Sequence, residues 1–162
     1  MHALLIAVAA SAAFASPVAV PGGNPMEFFE GRTEGSGMVR ILLRKPAATK
    51  SVGHGKMGSD GTMTLVQRVE EPGRPAHERR WKIRRTGATR FAGTMSDAVG
   101  PVTIEEIDGR YRFRFKLKGN LSVEQWLTPL PGGKVARNSM TIRKLGVKVG
   151  SGDGMIRRVA QR

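Results

Sequence analysis

The stretch Arg110–Lys118 reads Arg-Tyr-Arg-Phe-Arg-Phe-Lys-Leu-Lys, and no other part of the chain limits the fold so tightly. Tyr111, Phe113, Phe115 and Leu117 alternate with cations throughout. A period of two belongs to a β-strand with one face buried and one face in water. Burial of such apolar side chains contributes about 1.5–3 kcal/mol each. A slip of one residue would turn the cations inward, so the register is fixed. The stretch predicts an aromatic interior and a cationic exterior.

Similar alternation recurs along the chain. Met63, Leu65, Gln67 and Val69 share one face of Thr62–Glu70, and Trp81 and Ile83 lie opposite Arg80, Lys82 and Arg84 in His77–Arg85. Phe91, Gly93 and Met95 fall together in Thr89–Ser96; Gly93 there either leaves space or marks a bend. Leu121–Thr128 and Val135–Lys144 read as further strands, with Trp126 out of phase at a rim or an interface. Gly35–Arg44 is a first strand, broken at Lys45–Thr49, and Ser51–Met57 a weak second. Turn signals separate these runs: Ser59-Asp60-Gly61, Glu71-Pro72-Gly73, Gly100-Pro101, Asp108-Gly109 and Pro131-Gly132-Gly133. Gly146–Gly154 is only loosely β, with Gly150–Gly154 a flexible loop, and Met155–Ala160 is a last strand or a short helix. Near the start, Pro25–Gly31 makes one helical turn opened by proline and stopped by glycine. Eight to ten short strands and no long helix predict an all-β antiparallel barrel or sandwich, of which a closed up-and-down barrel also removes exposed edges.

The 162 residues suffice for one domain with a real core. Cysteine is absent, which excludes disulfides, thiolate metal sites and cysteine nucleophiles. Residues 1–15 read as a signal peptide: Ala3–Ala10 is a short apolar run, and Ala13-Phe14-Ala15 fits the small-x-small rule with cleavage before Ser16. An uncleaved apolar tail is the alternative, since the n-region lacks Lys and Arg. Residues 16–25 form a flexible lead-in and residues 26–162 the barrel domain. The expected location is the periplasm, as a soluble protein with no transmembrane segment in the mature chain.

With the strands in order, the chain resembles an uncharacterised bacterial envelope family, domain of unknown function thirty-eight thirty-three. The resemblance runs from about Phe28 to Val159. It rests on Phe28-Phe29-Glu30-Gly31-Arg32-Thr33, Gly58–Leu65, Arg79–Arg84, Phe91–Thr94, Asp97–Gly100, Trp126-Leu127, Asn138-Ser139-Met140 and Lys144–Val147. It implies a lipocalin-like barrel and an envelope location, and it brings no catalytic residues to carry over. Members often carry a lipobox cysteine that this chain lacks. Two polar positions also differ from the family pattern, Gln125 beside Glu124 and Ser139 after Asn138.

No catalytic or metal-binding set is assembled by spacing. His54 and His77 lie in different segments without metal-ligand spacing. Glu105 and Glu106 are neighbours on a strand and point to opposite faces, so they make no close dyad. Gly150–Gly154 lacks the Lys-Ser/Thr of a phosphate loop. No cofactor is expected, and an enzyme acting on lipid-like substrates is the third reading.

Two features carry the binding readings. Trp81, Phe91, Met95, Tyr111, Phe113 and Phe115 line a cavity for an acyl chain or fill a core; a small barrel permits either. Arg80, Lys82, Arg84, Arg110, Arg112, Arg114 and Lys116, with Arg79 and Arg85, form a basic wall on strands that neighbour one another, or a merely solvated face. The net charge of +14 and pI of about 11.4 suit an anionic partner. Export disfavours nucleic acid, and so does placing the aromatics on the opposite face from the cations. An anionic membrane surface suits an exported protein better. The first reading is therefore a lipocalin-like binding protein for a lipid or other anionic amphiphile in the bacterial cell envelope. The alternative is a filled barrel that docks on anionic envelope surfaces.

Overall fold

The computed structural model describes residues 24–160; the signal peptide expected over residues 1–15 lies outside them. A 3-10 turn, Pro25–Phe29, comes first. The Asn24 side chain caps it by accepting a hydrogen bond from the Met26 N–H at 3.0 Å. Ten strands follow: β1 (Gly31–Ile41), β2 (Ala47–Met57), β3 (Met63–Glu70), β4 (His77–Arg85), β5 (Arg90–Met95), β6 (Val102–Ile107), β7 (Arg110–Leu117), β8 (Leu121–Pro129), β9 (Val135–Lys144) and β10 (Val147–Val159). Each pairs antiparallel with the next, and β1 closes on β10. The result is a closed up-and-down barrel, so every strand edge is paired.

Alternation sets the two faces as β7 predicts. Tyr111 and Phe113 are buried, Phe115 and Leu117 pack against the core, and Arg110, Arg114 and Lys116 are exposed. Trp81 stands edge-on to Phe113 and Phe115, with ring centroids 6.3 and 6.1 Å away. Such aromatic pairs add about 0.5–1.5 kcal/mol each beyond area burial. The 3-10 turn closes this end of the barrel, with Met26, Phe28 and Phe29 joining the same apolar cluster. A Cβ at Gly55 would lie 1.9 Å from the Phe29 carbonyl oxygen, so glycine is what lets the turn seat.

Three expectations need correction. Gly150–Gly154 is not a loop; it lies inside β10, paired with β1 on one side and β9 on the other. The break expected over Lys45–Thr49 is shorter, since β2 begins at Ala47. The basic strands β4 and β7 are not neighbours, because β5 and β6 lie between them. Gly93 marks a close backbone approach, where a Cβ would meet the Lys82 carbonyl oxygen at 1.8 Å.

Candidate functional site: a cavity divided between polar and apolar walls

The interior is unevenly filled. Large side chains from β3 to β8 pack one half, and glycines from β1 and β10 line the other. Gly35, Gly37, Gly152 and Gly154 border a cavity of about 130 Å³. Backbones crowd where two of these glycines face each other. A Cβ at Gly37 would lie 2.4 Å from the Asp153 carbonyl oxygen, and one at Gly154 2.3 Å from that of Ser36. The missing side chains thus allow close strand pairing and leave the space inside.

The walls of this cavity are polar. Thr49, Ser51, Gln67, Arg79, Gln125 and Asn138 line it, with the charged Lys50, Glu71 and Asp153 and the apolar Val39, Val69 and Met140. Below it lies a smaller space of about 40 Å³ between Met26, Phe29, Met63, Leu65, Trp81, Ile83, Phe113 and Leu127. Gln67, Gln125 and Ile156 line both, so the two spaces adjoin. At the boundary the Trp81 indole N–H donates to Gln67 Oε1 at 2.8 Å, and Gln125 Nε2 donates to Asn138 Oδ1 at 2.8 Å. These bonds leave the amide NH2 groups of Gln67 and Asn138 as donors.

Arg79 is the half-buried cation of the cavity; Lys50, also at its border, is exposed. Arg79 has the strand parity of Trp81 and Ile83 and therefore points inward, not onto the basic wall where the sequence reading placed it. Its Nε donates to Asp97 Oδ2 at 2.8 Å, and His77 Nε2 lies 3.2 Å from the same oxygen. Burial alone would raise the Asp97 pKa. The hydrogen bond and charge of Arg79, joined by those of His77, outweigh burial and hold the carboxyl below its ordinary value. Asp97 thereby fixes the Arg79 side chain at the head of the cavity.

Of the aromatic and sulfur side chains expected to bind a ligand, Trp81 and Phe113 line the smaller space. Phe91, Met95 and Tyr111 are buried in the packed half, and Phe115 packs against it half-buried. Burial is also what raises the Tyr111 phenol pKa, with the Glu106 carboxylate adding to it. Sequence points to neither Gln67 nor the glycine wall as part of a site, to Arg79 only as part of the basic wall, and to Gln125 and Asn138 only through the family resemblance. The parity of Arg79 and Gln67 on strands already recognised was the available signal; β10 offered none.

Outside, the basic wall is partly neutralised. Arg112 and Arg114 share Glu105, at 2.5 and 3.2 Å, and hold its pKa down, the Arg112 hydrogen bond acting most strongly. Arg80 pairs with Glu78 at 2.6 Å, and the Arg110 guanidinium lies 4.5 Å from the centre of the outward-facing Trp126 ring. Among the described residues, Lys82, Arg84 and Lys116 have no carboxylate within 4.0 Å. Arg85, in contrast, crosses the Phe91 ring at 4.8 Å. Among the described residues no cluster of three His, Cys, Asp or Glu side chains fits a metal ion. None of their helices is long and apolar enough to cross a membrane.

A sequence profile covers nearly the whole chain, residues 5–158. The chain belongs to the family described as "Protein of unknown function (DUF3833)". Two solved structures share the architecture of this DUF3833 barrel. One is the S-type phycobiliprotein lyase CPES from Guillardia theta, with a TM-score of 0.67 at 6% identity, covering 85% of this chain and 92% of that one. The other is a protein with unknown function from the DUF3598 family of Nostoc punctiforme, with a TM-score of 0.63 at 14% identity, covering 90% of this chain and 53% of that one. At such identities the likeness is one of fold, a lipocalin-like barrel. No protein of curated function matches the chain by sequence.

Proposed function

We propose that this DUF3833 protein is an exported binding protein of the cell envelope, which takes an anionic amphiphile into its barrel with its head at Arg79 and its alkyl part below, among Trp81 and Phe113. The observation that carries this reading is the pair of adjoining spaces, polar around Arg79 and apolar around Trp81 and Phe113. An amphiphile has the same division. Size limits the ligand, since an apolar cavity of about 150 Å³ holds one benzene ring. A cavity of about 130 Å³ with a smaller annex therefore suits a head group carrying a short alkyl chain that ends among Met63, Trp81 and Phe113. The likeness to a phycobiliprotein lyase is one of fold, and the reading rests on the two spaces inside the barrel.

Trp81 provides the test, because its indole lines the apolar space. In a Trp126→Phe background, titration with hexyl phosphate is expected to shift the remaining tryptophan emission saturably. Arg79→Gln should weaken binding of hexyl phosphate about tenfold or more, as loss of a charge-assisted hydrogen bond implies, and leave hexanol unaffected. An unchanged emission at saturating amphiphile would reject the reading.

The unpaired Lys82, Arg84 and Lys116 favour a second reading, in which the outer wall docks on anionic envelope surfaces. Each cation held near such a surface contributes about 1 kcal/mol, screened by salt.

A further inference from the structure

The end of the barrel that carries the cavity's glycine wall also carries a set of apolar side chains in water. Leu43 is 98% exposed, Leu145 81%, Val147 65% and Leu42 64%. They come from two hairpin turns, β1–β2 and β9–β10. The turns are neighbours: β1 ends where β10 begins, with Ile41 opposite Gly150, and the Leu42 N–H donates to the Val149 carbonyl at 2.9 Å. Four large aliphatic side chains therefore share one tip of the molecule.

Both apical leucines have left-handed backbones, φ +63° at Leu43 and +48° at Leu145. A branched, bulky side chain is costly there, and Asn, Asp or Gly is the usual occupant. Leu145 precedes Gly146 at φ +84°, the two-residue turn that Asn-Gly forms best. Local stability does not account for leucine at either place. Cations ring the apolar tip: Arg44 and Lys45 follow Leu43, and Lys144 and Lys148 flank Leu145 and Val147, all exposed. Lys144 also lies opposite Leu121, which brings the turn holding Lys118 alongside. None of these five cations has a carboxylate within 4.0 Å among the described residues. Exposed aliphatic side chains inside a collar of unpaired cations match the two layers of an anionic bilayer, hydrocarbon below and phosphate above.

We propose that the β1–β2 and β9–β10 turns dock the barrel on anionic phospholipid bilayers, inserting Leu42, Leu43, Leu145 and Val147 among the acyl chains. The collar of cations meets the lipid phosphates. Docking in this way directs the glycine-lined side of the cavity toward the membrane, and it does not depend on whether the cavity holds a ligand.

Co-sedimentation of the protein with phosphatidylcholine vesicles, with and without phosphatidylglycerol, tests this. Binding is expected only with the anionic lipid, weakening as salt rises. The double substitution Leu43→Asn and Leu145→Asn should lower the partition coefficient at least about a hundredfold, a tenfold loss for each buried leucine. Because Asn relieves both turns, the same variant should melt no lower than the wild type, which separates lost docking from lost folding. Lys82→Gln, Arg84→Gln and Lys116→Gln discriminate the tip from the outer wall of the second reading: partitioning that survives them assigns docking to the tip, and partitioning lost through them with the leucines intact assigns it to the wall instead. Three further results would overturn the proposal: equal binding to neutral vesicles, binding that survives the double leucine substitution, or no binding at all. A dimer in solution that the leucine substitutions dissociate would also overturn it, by assigning the tip to a second copy.

Discussion

Arg79 turns inward because its position on β4 matches that of Trp81 and Ile83, while the adjacent Arg80 turns out to Glu78. Two like residues in sequence thus have unlike roles, one inside a cavity and one in a surface ion pair of little energetic weight. Asp97 holds Arg79 in place, and its lowered pKa carries a sign that can be checked. A carboxyl whose folded pKa lies below its unfolded value of about 3.9 stabilises the fold above that value. The contribution disappears as pH falls through the folded pKa. Asp97→Asn is therefore expected to destabilise the protein to urea at neutral pH and to match the wild type in strong acid. A difference that grew on acidification would contradict this assignment. Asn in place of Asp97 also loosens Arg79, so anionic ligands should bind the variant less tightly.

The strands divide into those whose side chains alternate and those made largely of glycine, and this division decided what could be read from sequence. β3, β4, β7, β8 and β9 announce themselves, because a buried face of Met, Leu, Trp, Ile and Phe opposes a polar one. The antiparallel meander and the out-of-phase Trp126 followed from the same signal, whereas the short helical turn was marked by Pro25 and Gly31. β10 gave no such pattern: Gly150, Gly152 and Gly154 occupy its inward positions, and glycine has no side chain to mark a face. A run of glycines reads as a loop, yet here it is a strand whose backbone lies against its neighbours. The cavity was illegible for the same reason, being defined by what those residues lack. The order of β4 to β7 around the barrel was also hidden, since alternation places cations outward without saying which strands adjoin. At the other end, the fit between Gly55 and the 3-10 turn makes an element-scale prediction. Gly55→Ala should push the turn away from β2, expose the apolar space and cost about 1–3 kcal/mol. Thermal melting should show the loss, and Trp81 emission should move to the red as water reaches the ring. An unshifted melt would mean that the turn is not seated by backbone contact.

In the molecule as a whole, one half of the barrel is a conventional packed core and the other is a partly empty, polar vessel. The packed half gives the fold its stability through Phe91, Ile104, Phe113 and Leu127, all nearly inaccessible to solvent. That frees the glycine-rich half from filling the interior. Charge is divided as well: Arg79 faces in, the β4 and β7 cations face out, and a third group surrounds the apolar tip. Each answers to a different experiment, in solution, on the outer wall and on vesicles. The claim on which the functional reading depends is that the interior accepts an anionic amphiphile with its head at Arg79. The most direct measurement is a crystal structure of the protein soaked in hexyl phosphate. The account predicts phosphate oxygens within hydrogen-bonding distance of the Arg79 guanidinium and alkyl carbons among Met63, Leu65, Trp81 and Phe113. Hexyl phosphate bound only to the outer wall, with the interior unchanged, would contradict it.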